Sequence, residues 1–117
     1  MSKKATTSDE APIFEKNLRI PQDKIAAFCR RWKITEFAFF GSILRRDFHP
    51  DSDVDVMVSF APDAEWGLFD HVRMEQDLQA ILGRDVDIVT RRSIERSSNW
   101  IRREAILASA EPYYVAR

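Results

Sequence analysis

The segment 53–60 alternates between two kinds of residue, and it constrains the fold more than any other part of the chain. One alternate set of positions is wholly apolar, Val54, Val56, Val58 and Phe60, while the other set holds Asp53, Asp55, Met57 and Ser59. Because successive side chains of a strand point to opposite faces, the apolar set would share one face and bury it. The same geometry places Asp53 and Asp55 together on the other face. The segment therefore predicts a half-buried strand that carries a pair of carboxylates.

The rest of the chain alternates between helical and strand-like patterns. Helices are predicted near 22–33, 68–82 and 93–110, a brief helix at 43–46, and strands at 35–40, 84–90 and 113–115. The inward faces of the three long helices are predicted to carry Ile25, Phe28, Cys29 and Trp32, then Leu68, Val72, Leu78 and Leu82, then Ile94, Ile101, Ala105 and Ala108. Gly83 is expected to end the second helix in the left-handed conformation. Strands separated by helices predict an α/β fold, a small mixed β-sheet covered by helices.

Length and charge exclude several classes of protein. The chain has 117 residues, enough for one domain, which we expect at residues 13–117 after a disordered tail at residues 1–12. A formal net charge of -1 argues against direct nucleic-acid binding. No apolar run reaches the roughly 20 residues of a membrane helix, and no signal peptide is visible, so a cytoplasmic location is expected. Cys29 is the one cysteine and is expected to be a buried structural thiol.

The candidate site combines the paired aspartates with a Gly-Ser turn. Two anions on one strand face repel each other, and a bound magnesium ion would remove that conflict. If the loop before Asp53 returns the chain antiparallel, Gly41 and Ser42 meet it at one sheet edge, where a phosphate could approach Gly41. Asp87 lies in the third strand and could reach the same metal ions if that strand runs parallel to the Asp53 strand. Asp85 lies on the same face as Asp87, and spacing alone does not separate the two. Asp87 is favoured, because Asp85 directly follows Gly83 and Arg84 at the mouth of the strand, where it is expected to be solvated.

These residues carry a resemblance to a known family. FFGSILRRDFHPDSDVDVMV, which begins at Phe39, resembles the signature of the DNA polymerase beta nucleotidyltransferase superfamily: Gly-Ser, a ten-residue spacer and Asp-x-Asp. The later VDIV is similar to its third-aspartate strand. The small size resembles the minimal nucleotidyltransferase (MNT) branch, and the similarity covers about residues 22–110. It implies a polymerase-beta-like nucleotidyltransferase fold.

The resemblance also implies roles for the site. Catalysis and metal binding fall to Asp53, Asp55 and Asp87, and nucleotide binding to Gly41, Ser42, Arg45 and Ser52. In this assignment the first two aspartates bind both Mg²⁺ ions, while the third helps to ligate one ion and to deprotonate the attacking hydroxyl. The Gly-Ser pair holds the triphosphate of ATP, the arginine steadies phosphate charge, and the second serine fixes the turn before the acids. A departure is Arg46, which stands where the family commonly has Gly, with bulky Phe48 close behind.

Proteins of the MNT branch often pair with a helical HEPN protein, a ribonuclease toxin, and act as its antitoxin. Some transfer AMP to a tyrosine of that partner. The resemblance therefore implies an Mg²⁺-dependent transfer of AMP from ATP to a hydroxyl of such a partner. Two alternatives stay open: transfer to a small molecule such as an aminoglycoside, and a binding module that blocks a toxin without catalysis.

Other features have no assigned role. The arginines at 91, 92, 96, 102 and 103 could face an acidic partner or RNA, or form a solvated helix surface. His49 and His71 lack companions at metal-ligand spacing and are expected to be solvated. The aromatic residues that could form a partner or homo-oligomer interface, or pack in the core, are Trp66, Trp100, Tyr113 and Tyr114.

Overall fold

The computed structural model describes residues 11–116. Within them, the helices are α1 (Ile13–Asn17), α2 (Gln22–Arg31), α3 (Leu68–Leu82), α4 (Arg91–Glu95) and α5 (Trp100–Ser109), and the strands are β1 (Ile34–Phe40), β2 (Val54–Phe60), β3 (Val86–Thr90) and β4 (Glu111–Val115). A short 3-10 helix, Gly41–Leu44, follows β1 in place of the helix expected at 43–46. The predicted disorder of residues 1–12 falls almost entirely outside the described residues. The helix α1 was not predicted.

The strands form a mixed sheet in the order β3-β2-β1-β4. β1 is antiparallel to both β2 and β4, whereas β2 and β3 are parallel, with α3 as their crossover. The antiparallel return after β1 and the parallel third strand, the two conditions on which the predicted site depended, are both met. The predicted small mixed sheet covered by helices is therefore confirmed, and β4 is the edge strand expected near the end of the chain.

One face of the sheet carries the larger core, against α2 and α3. The buried residues of this cluster include Ile25, Phe28, Cys29, Trp32, Phe37, Phe39, Val54, Val56, Val58, Met74, Leu78, Leu82 and Ile88. The predicted inward face of α2 is confirmed in full. Burial raises the pKa of the Cys29 thiol to about 12, so this cysteine is a neutral core residue.

The predicted face of α3 is wrong in its first half. Leu68 and Val72 are exposed, while Met74 is fully buried. The buried positions of this helix are four residues apart, and Leu68 and Val72 lie two positions out of that series, about 200° around the helix axis. The helix does end at Gly83 in the left-handed conformation, as predicted, with φ of 68°.

The segment after β3 forms two helices where one was predicted. α4 ends at Glu95, and Asn99 begins α5, since its side chain accepts a hydrogen bond from the Arg102 backbone N–H at 3.1 Å. This break resets the helical register, so Ile106 is buried while Ile101 is 66% exposed. Ala105 and Ala108 are also exposed. Only the burial of Ile94 is confirmed from the predicted face.

α4 and α5 cover the second face of the sheet with a smaller core. Its buried residues are Ala38, Phe40, Met57, Ile94 and Ile106. These two short helices thus pack against the face that carries Asp55.

Among residues 11–116, no helix is both long and apolar enough to cross a membrane.

Candidate active site

Gly41 turns the chain directly after β1. Its φ of +79° lies in the left-handed region, which side chains with a Cβ rarely adopt. A Cβ built at Gly41 would also overlap the carboxylate oxygen Oδ2 of Asp55. Backbone conformation and close approach both require glycine here, and they bring the turn against the acid on β2.

Two of the predicted acids are direct neighbours in the sheet. Asp55 of β2 is the register partner of Asp87 of β3, so their side chains leave the same face of adjacent strands. Asp53 precedes β2 by one residue and is exposed. Asp85 lies ahead of β3, where its carbonyl accepts a hydrogen bond from the Val54 N–H at 2.9 Å. The register thus brings Asp87 beside Asp55, and it leaves Asp85 at the mouth of the strand.

The acids also interact electrostatically. The pKa of Asp55 is raised, first by burial and then by the negative charges of Asp87 and Asp53. Arg102 and Arg45 act in the opposite direction and favour the ionised carboxylate. The electrostatic repulsion predicted between paired carboxylates is therefore present at Asp55, and a bound cation would reduce it.

The three carboxylates suit magnesium by chemistry, since they offer hard oxygen ligands from adjacent strands. In the part of the chain that the structure describes, no group of three or more acidic, histidine or cysteine side chains is arranged so that it could hold a metal ion by itself. Magnesium sites are commonly finished by substrate phosphates and water rather than by protein alone. The register partners Asp55 and Asp87 offer carboxylate oxygens to a partial site of this kind.

The Gly-Ser turn is tied to the acids through Ser42. Its hydroxyl donates a hydrogen bond to the Asp53 carbonyl oxygen at 3.2 Å. From the other side, the Asn17 side-chain amide donates to the carbonyl oxygens of Ile43 and Arg45, at 2.7 and 2.8 Å. The turn after β1 is therefore held by α1 as well as by β2.

The loop that leads into Asp53 is held in a similar way. Ser52 closes a turn with His49: its hydroxyl accepts from the His49 N–H at 3.2 Å, and its own N–H donates to the His49 carbonyl at 2.9 Å. Arg84 donates from Nη2 to the carbonyl oxygens of His49 and Ser52, at 2.8 and 2.6 Å. Its guanidinium also lies 4.6 Å from the ring centre of Phe48. Phe48, the bulky residue close behind Arg46, thus packs against the arginine that fixes this loop.

An open cavity of about 510 Å³ adjoins the turn and the acids. It is lined by Phe40, Gly41, Leu44, Arg45, Asp55, Arg102, Ala105, Ile106 and Ser109. The lining includes one carboxylate and two guanidinium groups, and the other lining residues are largely apolar. Arg45 is also paired with Asp47, at 3.2 Å. A second cavity of about 420 Å³ lies beside Asp53 and Asp85.

Reasoning from the sequence placed Gly41, Ser42 and the three aspartates at one sheet edge, and the family resemblance added Arg45 and Ser52. Both missed three residues that touch the turn, the loop or the cavity: Asn17, Arg84 and Arg102. The last was noted only as part of an arginine-rich stretch. No local pattern marks the first two, because their partners are backbone carbonyls 26 to 35 residues away.

The remaining candidates lie elsewhere. His71 faces Glu75 on its own helix, with 3.5 Å between the imidazole Nε2 and the carboxylate. Tyr113 packs against Phe14, Phe37 and Phe39 in the larger core, so it is not a free interface residue. Trp100 is 62% exposed.

Comparisons with known proteins identify the family and the fold of the chain. The nucleotidyltransferase domain family matches residues 23–111. A relative from Methanocaldococcus jannaschii, named as a candidate protein adenylyltransferase, is 32% identical over 89 residues, which cover 76% of this chain and 82% of the relative. A solved structure described as a candidate minimal nucleotidyltransferase is 32% identical, with a TM-score of 0.61, over 79% of this chain and 88% of that one.

A third comparison supports the fold alone. A toxin–antitoxin crystal structure with AMP-PNP contains a chain that is 23% identical, with a TM-score of 0.63, over 84% of this chain and 76% of that one. The family match covers most of the chain and includes the Gly-Ser turn and the three aspartates. The chain therefore belongs to the nucleotidyltransferase domain family and is a minimal nucleotidyltransferase of the DNA polymerase beta superfamily.

Proposed function

We propose that this enzyme transfers AMP from ATP to a hydroxyl group, in a reaction that requires Mg²⁺, and that the acceptor is a tyrosine of a helical HEPN-type toxin that the chain neutralises. One observation carries the proposal: Asp55 and Asp87 are register partners on adjacent strands, and Gly41 approaches Asp55 so closely that it has no room for a side chain. Carboxylates for cations and an open backbone for phosphates thus lie together.

In the proposed reaction the acceptor oxygen attacks the α-phosphorus of ATP. The new P–O bond forms as the bond to the oxygen bridging the α- and β-phosphates breaks, and pyrophosphate leaves with that electron pair. The acceptor proton passes to the Asp87 carboxylate, which is exposed and therefore accessible. Bound Mg²⁺ supplies neutralisation of the phosphate charge and alignment of the reacting groups.

The other residues position the substrate. Asp53, Asp55 and Asp87 would hold the magnesium. Gly41 and Ser42 would hold the triphosphate, with the Ser42 hydroxyl exchanging its bond to the Asp53 carbonyl for one to phosphate. Arg45 would steady phosphate charge from the cavity wall.

A protein acceptor is supported by two observations. The cavity beside Asp55 is open, so a side chain from another protein can enter it. The fold is also that of a chain in a solved toxin–antitoxin complex with AMP-PNP. A nucleotide donor and a toxin partner follow from that neighbour as a proposal for this chain.

The test is an AMP-transfer assay with ATP labelled at the α-phosphate. The purified chain is incubated with Mg²⁺ and the helical protein that co-purifies with it, and the labelled residue is located by mass spectrometry. We expect label on a tyrosine of that protein, none without Mg²⁺, and none when Asp53→Asn and Asp55→Asn are combined. Asp51→Asn, in the exposed turn, is the matched control and should retain transfer.

The alternatives give different results in the same assay. Label on an added aminoglycoside but not on protein would favour the small-molecule reaction. A double asparagine variant that neutralises the toxin as well as the wild type would show that binding alone suffices. Either result would overturn the proposal.

A further inference from the structure

We propose that Arg102 of α5 is a ligand for the phosphate chain of the nucleotide, acting across the cavity from Gly41 and Ser42. The inference rests on the proposed function, which supplies the nucleotide, and it adds a residue from a helix outside the Gly-Ser and aspartate motifs. Its basis is the position of the Arg102 guanidinium, which lines the cavity that contains Asp55 and has no partner among residues 11–116.

The two cavity arginines differ in how they are held. The guanidinium of Arg45 is paired with the carboxylate of Asp47. Within residues 11–116, the guanidinium of Arg102 makes no ion pair and no hydrogen bond, and only its backbone N–H is bonded, to Asn99. Arg102 therefore offers a full set of five N–H donors to an anion that enters the cavity.

The position of Arg102 in α5 has no structural benefit for the helix. It lies in the first turn, where the positive end of the helix dipole disfavours a cation. It also lines the cavity and is exposed, so it is not a core residue. A charge that neither stabilises its helix nor packs in the core is best explained by a ligand.

The location of α5 makes that ligand a phosphate group. Arg102 and Gly41 line the same cavity, and Gly41 is the point where backbone can approach phosphate most closely. The positive charge of Arg102 also acts on Asp55, which places the guanidinium within electrostatic reach of the carboxylates. A nucleotide whose phosphates bridge those carboxylates and the Gly-Ser turn would pass in front of Arg102, and guanidinium groups bind phosphate oxygens in a bidentate manner.

The test is nucleotide binding measured by calorimetry with Mg²⁺, so that it does not depend on an acceptor. Arg102→Ala should weaken ATP binding about 10- to 100-fold, as expected for loss of a charge-assisted hydrogen-bonded pair, and leave adenosine binding unchanged. Arg102→Lys should recover part of the ATP affinity. Because the guanidinium has no protein partner within residues 11–116, the Tm of Arg102→Ala should match that of the wild type.

Arg73→Ala is the matched control, since Arg73 is an exposed arginine on α3, which packs on the opposite face of the sheet. It should bind ATP as the wild type does. Equal ATP affinity in Arg102→Ala and wild type would overturn the inference and leave the proposed function intact. A wild-type protein that binds no ATP in the presence of Mg²⁺ would overturn both.

Discussion

The two faces of the sheet are packed to very different depths. The deep face, which packs against α2 and α3, buries seventeen residues in one cluster, while the thin face, which packs against α4 and α5, buries five. The acids Asp55 and Asp87 belong to the thinly covered face, because they alternate with Val54, Val56 and Ile88 of the deep core. The molecule thus separates stability from chemistry: one face holds the fold, and the other leaves room for a substrate.

Phe39 tests the deep face. It is fully buried, and the centre of its ring lies 5.0 to 5.5 Å from the ring centres of Phe14, Phe37 and Tyr113. Phe39→Ala should lower the free energy of unfolding by about 3–5 kcal/mol, through lost burial and an unfilled cavity. Urea titration measures this change. A loss below about 1.5 kcal/mol would mean that this cluster does not carry the stability.

Ile106 makes the corresponding test on the thin face. It is 7% exposed and lines the cavity with Asp55. Ile106→Ala should cost about 2–3 kcal/mol, at the low end for such a change, because the sparse core can collapse around the gap. The same titration gives the value, and the comparison breaks down if Ile106→Ala costs more than Phe39→Ala.

Gly41 and Gly83 form a matched pair for the turn beside the acids. Both have positive φ, but an added Cβ meets the Asp55 carboxylate only at Gly41 and nothing within 4 Å at Gly83. Gly83→Ala should cost about 1 kcal/mol from backbone strain, and Gly41→Ala should cost about 1–2 kcal/mol more while abolishing AMP transfer. Equal costs and intact transfer in both variants would contradict the close approach of this turn to Asp55.

On the thin face, the charge of Asp55 should lower the free energy of unfolding. Since its pKa is raised by burial and by the charges of Asp87 and Asp53, the ionised carboxylate disfavours the folded state. Asp55→Asn should therefore raise the free energy of unfolding by about 1 kcal/mol at pH 7 without Mg²⁺. The ionised carboxylate lowers the free energy of unfolding of the wild type more and more as the pH rises from the unfolded-state pKa of Asp55 to its higher folded-state pKa. The stability gained by Asp55→Asn should therefore disappear below the ordinary pKa of 3.8. An unchanged gain at low pH would exclude this cause.

The sequence predicted the deep face better than the thin one. The alternation at 53–60 and the helical spacing at 25, 28, 29 and 32 each indicated which side chains pack in the larger core, and both of these faces were confirmed. The strand is not half-buried as predicted, because Met57 is buried on its other face. The residues buried on the thin face depend on where α4 ends and α5 begins. Because α5 begins after the N-cap Asn99, Ile106 is buried in place of the predicted Ile101. Without that register, nothing in the sequence distinguished Arg102 from its neighbours.

The candidate site divides in the same way. The pairing of Asp55 with Asp87 follows from strand alternation and a parallel crossover, both visible in the sequence. The hydrogen bonds from Asn17 and Arg84 to distant carbonyl groups depend on how the loops pack, and no period or motif records them.

The most direct measurement compares AMP transfer by Asp87→Asn with that by Asp85→Asn, at saturating ATP and Mg²⁺. The two residues lie two positions apart in the sequence, which is one repeat of a strand, and only Asp87 is the register partner of Asp55. We predict that Asp87→Asn loses about 100-fold or more in kcat, whereas Asp85→Asn stays within about threefold of the wild type. Full transfer by Asp87→Asn, with the loss at Asp85→Asn, would contradict the assignment of the site to the paired carboxylates on β2 and β3.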